Sequence, residues 1–324
     1  MTQPTVLVTS RSFSSGDLDA RGQLESAGVR VVLGPADHDL ETVRPLLAEA
    51  LAWIAGVGPV TADHLDAAPR LRLVARYGVG VEAVDLSYAD QRGITVTNTP
   101  GANSGAVAEH ALALMLSALR HVTAGDRRVR RGDWQVQRTR ELGALTVGIV
   151  GVGRIGRGVA DRLSGFGSTV LGYDPWVDEE TFRAAGIAPT SLTEMATRSD
   201  VVSLHAPGDA TLVDRDWLSV VKPSLILVNT ARAMLVDELA VAEALAADRL
   251  QLYASDTLSA ESGTDSRLLD PQLTDRTIFT PHSAANTVEA VDKMSGGAAA
   301  AVLAILSGDT PADVVRPGPS KEIG

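Results

Sequence analysis

TVGIVGVGRIGRGVADRL, residues 146–163, decides the fold. A run of β-formers ends in a glycine, and a helix-forming stretch begins at once. Gly151, Val152, Gly153, Arg154, Ile155 and Gly156 spell the G-x-G-x-x-G pattern. Alone that pattern is weak; between a strand and a helix it marks a dinucleotide-binding turn. The first glycine permits the tight turn, the second lets the backbone approach a pyrophosphate, and the third lets helix and strand pack closely. The helix start offers unpaired amides and a positive dipole end to the phosphates. Arg154 and Ile155, at that start, join the three glycines as expected cofactor-binding positions. The next strand ends in Tyr173-Asp174, 18 residues past Gly156. There a carboxylate accepts hydrogen bonds from the adenosine ribose and repels a 2′-phosphate, so the expected cofactor is NAD rather than NADP.

Outward from this turn the chain keeps a βα rhythm. Residues 146–150, 168–173, 200–205, 225–230, 250–255 and 277–280 read as strands apolar on both faces, as in a parallel sheet. Six such strands with helices between them are the content of a complete Rossmann domain. Upstream, residues 5–10, 29–34, 51–56, 71–76 and 94–99 form a second strand series with helix-compatible spacers, again pointing to a parallel α/β sheet. NSGAVAEHALALMLSALRHV, from residue 103, is an Ala/Leu-rich helix apolar around most of its circumference. It reads as the connector between the two series.

Composition narrows the function. A chain of 324 residues is expected to hold two domains. It has no cysteine, which removes disulfides, thiolate metal sites and cysteine nucleophiles. No metal site is expected, and a cytoplasmic setting fits. The net charge of −11 argues against nucleic acid. The basic stretch RRVRRGDWQVQRTR, residues 127–140, reads as a solvated linker. No signal peptide is expected in the opening residues MTQPTVLVTS. No membrane span is expected either: the best apolar stretch, residues 106–119, is short and carries Glu109 and His110.

Several motifs in series, LVARYGVGVEAVDL, VTNTPGANSGAVAEHALALML, VGIVGVGRIGR, LVNTARAMLVDE and TPHSAANT, occur in an order that resembles the D-isomer-specific 2-hydroxyacid dehydrogenase family. The resemblance runs from about residue 31 to 315. It implies an α/β fold in which a Rossmann NAD-binding domain, residues 103–284, is inserted into a flavodoxin-like substrate domain made of residues 1–102 and 285–324. It also implies an active site in the cleft between domains. The partner is then a small 2-oxo or 2-hydroxy acid, with a homodimer built through the Rossmann domain. The apolar helix and the segment around Trp134 are the candidate interface.

Reducing a 2-oxo acid requires a grip on its carboxylate, polarisation of its carbonyl and a proton for the oxygen. Arg232 follows a strand at its carboxyl end, where ligands bind in open α/β sheets, and its planar fork matches a carboxylate. The competing reading is a structural pair with Asp237. His282, after Pro281, is a residue type able to give and take that proton. Taken alone, a histidine in that setting is more often structural. By resemblance Arg232 binds the substrate, His282 is the acid/base, and Glu261 pairs with His282. Asp256, Thr230 and the backbone of Ala206 line the cofactor site, and the amides of Val79 and Gly80 form a second clamp on the substrate carboxylate. His110 and His205 are expected to be structural.

Three departures stand out. Ala233 replaces the glycine that usually follows the arginine. The segment DTLSAESGTDSRLLDPQL lacks the Glu-x-Pro usual after the dyad glutamate. Relatives acting on 3-phosphoglycerate often carry Arg-Ser where this chain has Ala55-Gly56, and the chain ends at Gly324 without the regulatory extension some of them have. The expected substrate is therefore an unphosphorylated 2-oxo acid such as glyoxylate or hydroxypyruvate. An NAD-sensing corepressor-like protein, or a formate- or phosphite-type dehydrogenase on the same fold, are the alternatives.

Overall fold

The computed structural model describes residues 3–208, 210–263 and 265–317. They separate into two compact units, 1–103 with 285–324, and 104–284.

The first unit is built on β1 (Thr5–Val8), β2 (Arg30–Leu33), β3 (Ala50–Ala55), β4 (Leu73–Arg76) and β5 (Thr95–Thr97). They lie parallel in the order β5-β4-β3-β1-β2. That is the flavodoxin-like order. β1 and β4 are buried along their whole length, which is why each is mostly apolar, with Thr5 and Arg76 at their ends. Asp19, Asp39 and Asp85 cap the helices that follow, each accepting an amide three residues on.

The second unit holds β6 (Thr146–Val150), β7 (Thr169–Tyr173), β8 (Ala188–Pro189), β9 (Val201–Leu204), β10 (Ile226–Asn229), β11 (Leu252–Ser255) and β12 (Thr277–Phe279). All are parallel, in the order β12-β11-β10-β9-β6-β7-β8. This is a Rossmann sheet with one further strand. The chain winds one way from β6 to β8 and the other way from β9 to β12. The crevice at the carboxyl ends of β6 and β9 is thus the topological switch point where ligands bind. β8 had no signal in the sequence: it is two exposed residues at the sheet edge, one of them proline.

Helix Ser104–Leu119 packs within this unit on helix Arg154–Ser164 and on β10 and β11. Gly158 allows the close helix approach, since a Cβ there would sit 3.3 Å from the Cβ of Ala108. The stretch read as a solvated linker is in part helix, Val122–Arg130. Its arginines pair with acids: Arg127 with Asp275 at 2.9 Å, Arg128 with Asp133 at 2.7 Å and Arg130 with Asp126 at 2.9 Å. The helix was missed because three arginines, Arg127, Arg128 and Arg130, obscure its apolar side.

The chain then returns to the first unit with helix Val288–Ser307, capped by Thr287, and with β13 (Val314–Val315), antiparallel to β5. The expectation that nothing reaches membrane-spanning length needs correction here, because this 20-residue helix is long and apolar enough by length and composition. Its apolar face is core instead. Val291, Met294, Ala298 and Val302 are buried, and the helix packs on β4 and on helix Ala20–Ser26.

Candidate active site

At the carboxyl end of β6 the three glycines meet different constraints. Gly151 has φ +91°, and a Cβ there would lie 2.6 Å from the amide nitrogen of Ala206. Gly156 lies against the strand: a Cβ would come 2.0 Å from the carbonyl oxygen of Gly151 and 3.0 Å from Ile149. Gly153 caps helix Arg154–Ser164, and a Cβ there would meet no protein atom within 4 Å. Protein packing therefore explains Gly151 and Gly156 but not Gly153. The open space above Gly153, at a helix N-terminus beginning with Arg154 and Ile155, is the cradle a pyrophosphate needs. The site fits a dinucleotide.

Asp174 follows β7 beside this turn. Its two oxygens accept the amides of Val152 at 2.9 Å and Trp176 at 3.0 Å. A carboxylate has about four acceptor sites, so two remain for ribose hydroxyls. Across the switch point, His205 follows β9. Its imidazole contacts Ser203 Oγ at 2.9 Å and Thr230 Oγ1 at 3.4 Å. Burial lowers its pKa to about 4, so the ring is neutral. Ala206 and Thr230 thus border the same turn.

The catalytic candidates sit on the carboxyl ends of the neighbouring strands β10, β11 and β12. Arg232 follows β10, and its Nη1 donates to its neighbour's carbonyl, Ala231 O, at 2.9 Å. Asp237 accepts Ala240 N as a helix cap. The loop is shaped by Asn229, fully buried at the end of β10. Its amide donates to Arg232 O at 2.9 Å, and its Oδ1 accepts Ala231 N at 2.9 Å. Ala233 opens a 3₁₀ turn and is not among the positive-φ residues, so the backbone here does not require glycine.

Glu261 and His282 are brought together: His282 Nδ1 lies 2.9 Å from Glu261 Oε2. His282 holds φ +50°, a left-handed conformation that side-chain-bearing residues seldom adopt. Asp256, 1% exposed, holds that loop in place. Its Oδ1 accepts the amide of Ser283 at 2.9 Å and the hydroxyl of Thr280, while Oδ2 accepts the amide of Ala284 at 2.9 Å. Behind it, His110 Nε2 lies 2.9 Å from Thr280 Oγ1 and 3.5 Å from Asp256 Oδ1. Both oxygens of Asp256, expected to line the cofactor site, accept donors from the His282 loop.

Asn229, Thr280 and the shared role of His110 were not singled out from sequence. Asn229 adjoins Thr230 at a strand end, which is a usable signal. The pairing of His110 with residues 146 and 170 positions away is not. Among the described residues no group of three or more His, Asp and Glu could hold a metal ion.

In the first unit, Val79 and Gly80 form a turn after β4. Val79 O accepts the Asn98 side chain at 2.7 Å, and Gly78 O accepts Thr99 N at 2.9 Å. In a trans peptide the N–H points opposite to the C=O, so the Gly80 amide faces away from Asn98.

Residues 112–284 match the family described as D-isomer specific 2-hydroxyacid dehydrogenase, NAD binding domain. The chain is 38% identical over 98% of its length to D-3-phosphoglycerate dehydrogenase of Mycobacterium bovis, and spans 60% of that protein's length. It is 35% identical to glyoxylate reductase of Korarchaeum cryptofilum, covering 80% of each chain. The crystal structure of D-lactate dehydrogenase from Aquifex aeolicus, complexed with NAD and lactic acid, superposes with a TM-score of 0.84 at 26% identity, covering 98% of this chain and 100% of that one.

Proposed function

Because the chain belongs to the D-isomer specific 2-hydroxyacid dehydrogenase family, we propose that it interconverts a small 2-oxo acid and its D-2-hydroxy acid with NAD as cofactor. The observation that carries this reading is the 2.9 Å Glu261–His282 pair on a loop clamped by Asp256. NAD, when bound, supplies or removes the hydride at the substrate's second carbon. The glycine turn and Asp174 would hold it. Arg232 binds the substrate carboxylate through its planar fork. The amides of Val79 and Gly80 are a further carboxylate-binding turn. His282 gives its proton to the carbonyl oxygen during reduction and takes it back during oxidation. Glu261 favours the protonated ring and fixes its orientation.

Within this reading the substrate is unphosphorylated. Two of the relatives are named for different substrates, so the choice rests on this chain's own residues. At the end of β3, Ala55 is fully buried. A Cβ on Gly56 would lie 2.6 Å from Thr9 O. Residues 55–58, Ala-Gly-Val-Gly, offer no cationic side chain to a phosphate. We also propose a homodimer, supported by Trp134 and Val136, which are 76% and 95% exposed in the single chain. Steady-state assays with NADH and NADPH against phosphorylated and unphosphorylated 2-oxo acids test the substrate reading. A kcat/KM strongly favouring the phosphorylated acids overturns it. Tight NADH binding with no turnover of any acid overturns the enzymatic reading in favour of sensing.

A further inference from the structure

Glu261 sits on a segment with little to hold it. The side chains of Ser259, Ala260, Glu261 and Asp265 are not buried. Gly263, at φ +79°, adds freedom rather than restraint. Hydrogen bonds must therefore locate this segment, and among the described residues one side chain outside it bonds both of its ends. Glu238, half-buried at the start of helix Glu238–Ala246, accepts Ser259 N at 2.8 Å, Ser259 Oγ at 2.6 Å and Ser266 Oγ at 2.5 Å.

The ordinary role of a carboxylate at this place is to satisfy its own helix's first turn. Here Asp237 already does that, by accepting Ala240 N at 3.0 Å. Glu238 turns its acceptors outward instead, onto both ends of the segment that carries Glu261. Its charge is also felt by buried Tyr253, whose hydroxyl lies 3.4 Å from Asn229, the side chain that shapes the Arg232 loop.

We propose that Glu238 is a positioning residue for the reaction. It holds Ser259 and Ser266, on either side of Glu261, so that Glu261 stays against His282, and it acts only through Glu261. This rests on the dehydrogenase reading given above.

The experiment uses the full chain bound to NADH, with Glu238→Ala, Glu238→Gln, Glu261→Gln and the double variant Glu238→Ala/Glu261→Gln. Amide hydrogen exchange over residues 257–266 reads the clamp without reference to activity. Exchange is expected to quicken at least about tenfold in Glu238→Ala, roughly the effect of losing one charged hydrogen bond. It is expected to return close to the wild-type rate in Glu238→Gln, whose amide oxygen still accepts. Unchanged exchange in Glu238→Ala overturns the proposal. In steady-state assays kcat should fall in Glu238→Ala with the KM for NADH kept. The same substitution should cost nothing further in the Glu261→Gln background. An equal additional loss there shows a role independent of Glu261 and also overturns the proposal. If the wild-type chain turns over no 2-oxo acid, the functional reading fails, and the exchange data still decide whether the clamp exists.

Discussion

Asp256 accepts the amide of Ala284 at 2.9 Å through one carboxylate oxygen, with its other oxygen on the amide of Ser283, so a single buried acid sets the backbone on which His282 stands. An Asp256→Asn substitution places an NH2 group against one of these N–H donors. Leaving one buried donor unmet costs about 1–3 kcal/mol. The expected outcome is a lower urea midpoint together with a kcat/KM reduced by about tenfold or more. Equilibrium unfolding and steady-state kinetics on the same variant check both.

Arg232 tests the substrate grip. Arg232→Lys keeps the charge but loses the planar, two-pronged donor set. Its expected signature is a higher KM for the 2-oxo acid and a kcat/KM lower by about tenfold or more, since each lost charged hydrogen bond is about 1.5–3 kcal/mol. NADH affinity should stay near wild type. Asn229→Ala should move the same parameters in the same direction, because Asn229 shapes the Ala231–Arg232 backbone.

The cofactor turn makes two separable predictions. A Gly156→Ala methyl would stand 2.0 Å from Gly151 O, so helix and strand must part. Overpacking of this kind costs about 1–3 kcal/mol, and NADH affinity should fall with stability. Gly153→Ala meets no protein atom, so stability should hold while NADH affinity falls. Asp174→Asn should narrow the preference for NADH over NADPH by about tenfold, roughly 1.4 kcal/mol. Thermal unfolding with and without NADH, together with fluorescence titration, separates these outcomes.

His38 predicts acid sensitivity. Burial lowers its pKa to about 4, despite a hydrogen bond to Pro59 O that works the other way. The ring also lies 2.6 Å from Thr9 Oγ1. The unfolded chain has the ordinary value of about 6.5 and so binds the extra proton between pH 6.5 and 4. The stability linked to a neutral His38 is full above about pH 6.5 and drains away as pH falls toward 4, at about 1.4 kcal/mol per pH unit. His38→Gln should flatten that slope between pH 7 and 5 in urea unfolding. An unchanged slope would show that His38 does not carry it.

The fold was legible because buried parallel strands leave runs of three apolar residues, as in β1, β4 and β10. A strand of two exposed residues such as β8 leaves none. In the site, Gly151 and Gly156 were readable because close backbone contacts leave no alternative residue. Arg232, Glu261 and His282 were found through motif order rather than local chemistry. The groups that aim them were harder to see. Glu238 looks like any helix-start acid, and His110 like any polar residue on an apolar helix. Only the fold brings Glu238 to Ser259 and Ser266, or His110 to Thr280 and Asp256.

The most direct test of the central claim is the turnover of His282→Gln, with NADH affinity measured on the same preparation. The account predicts that the wild-type chain reduces an unphosphorylated 2-oxo acid with NADH. The variant should lose about 10²–10⁴ in kcat, the usual worth of a positioned acid, while binding NADH as tightly as before. A variant that still turns over at the wild-type rate would contradict it.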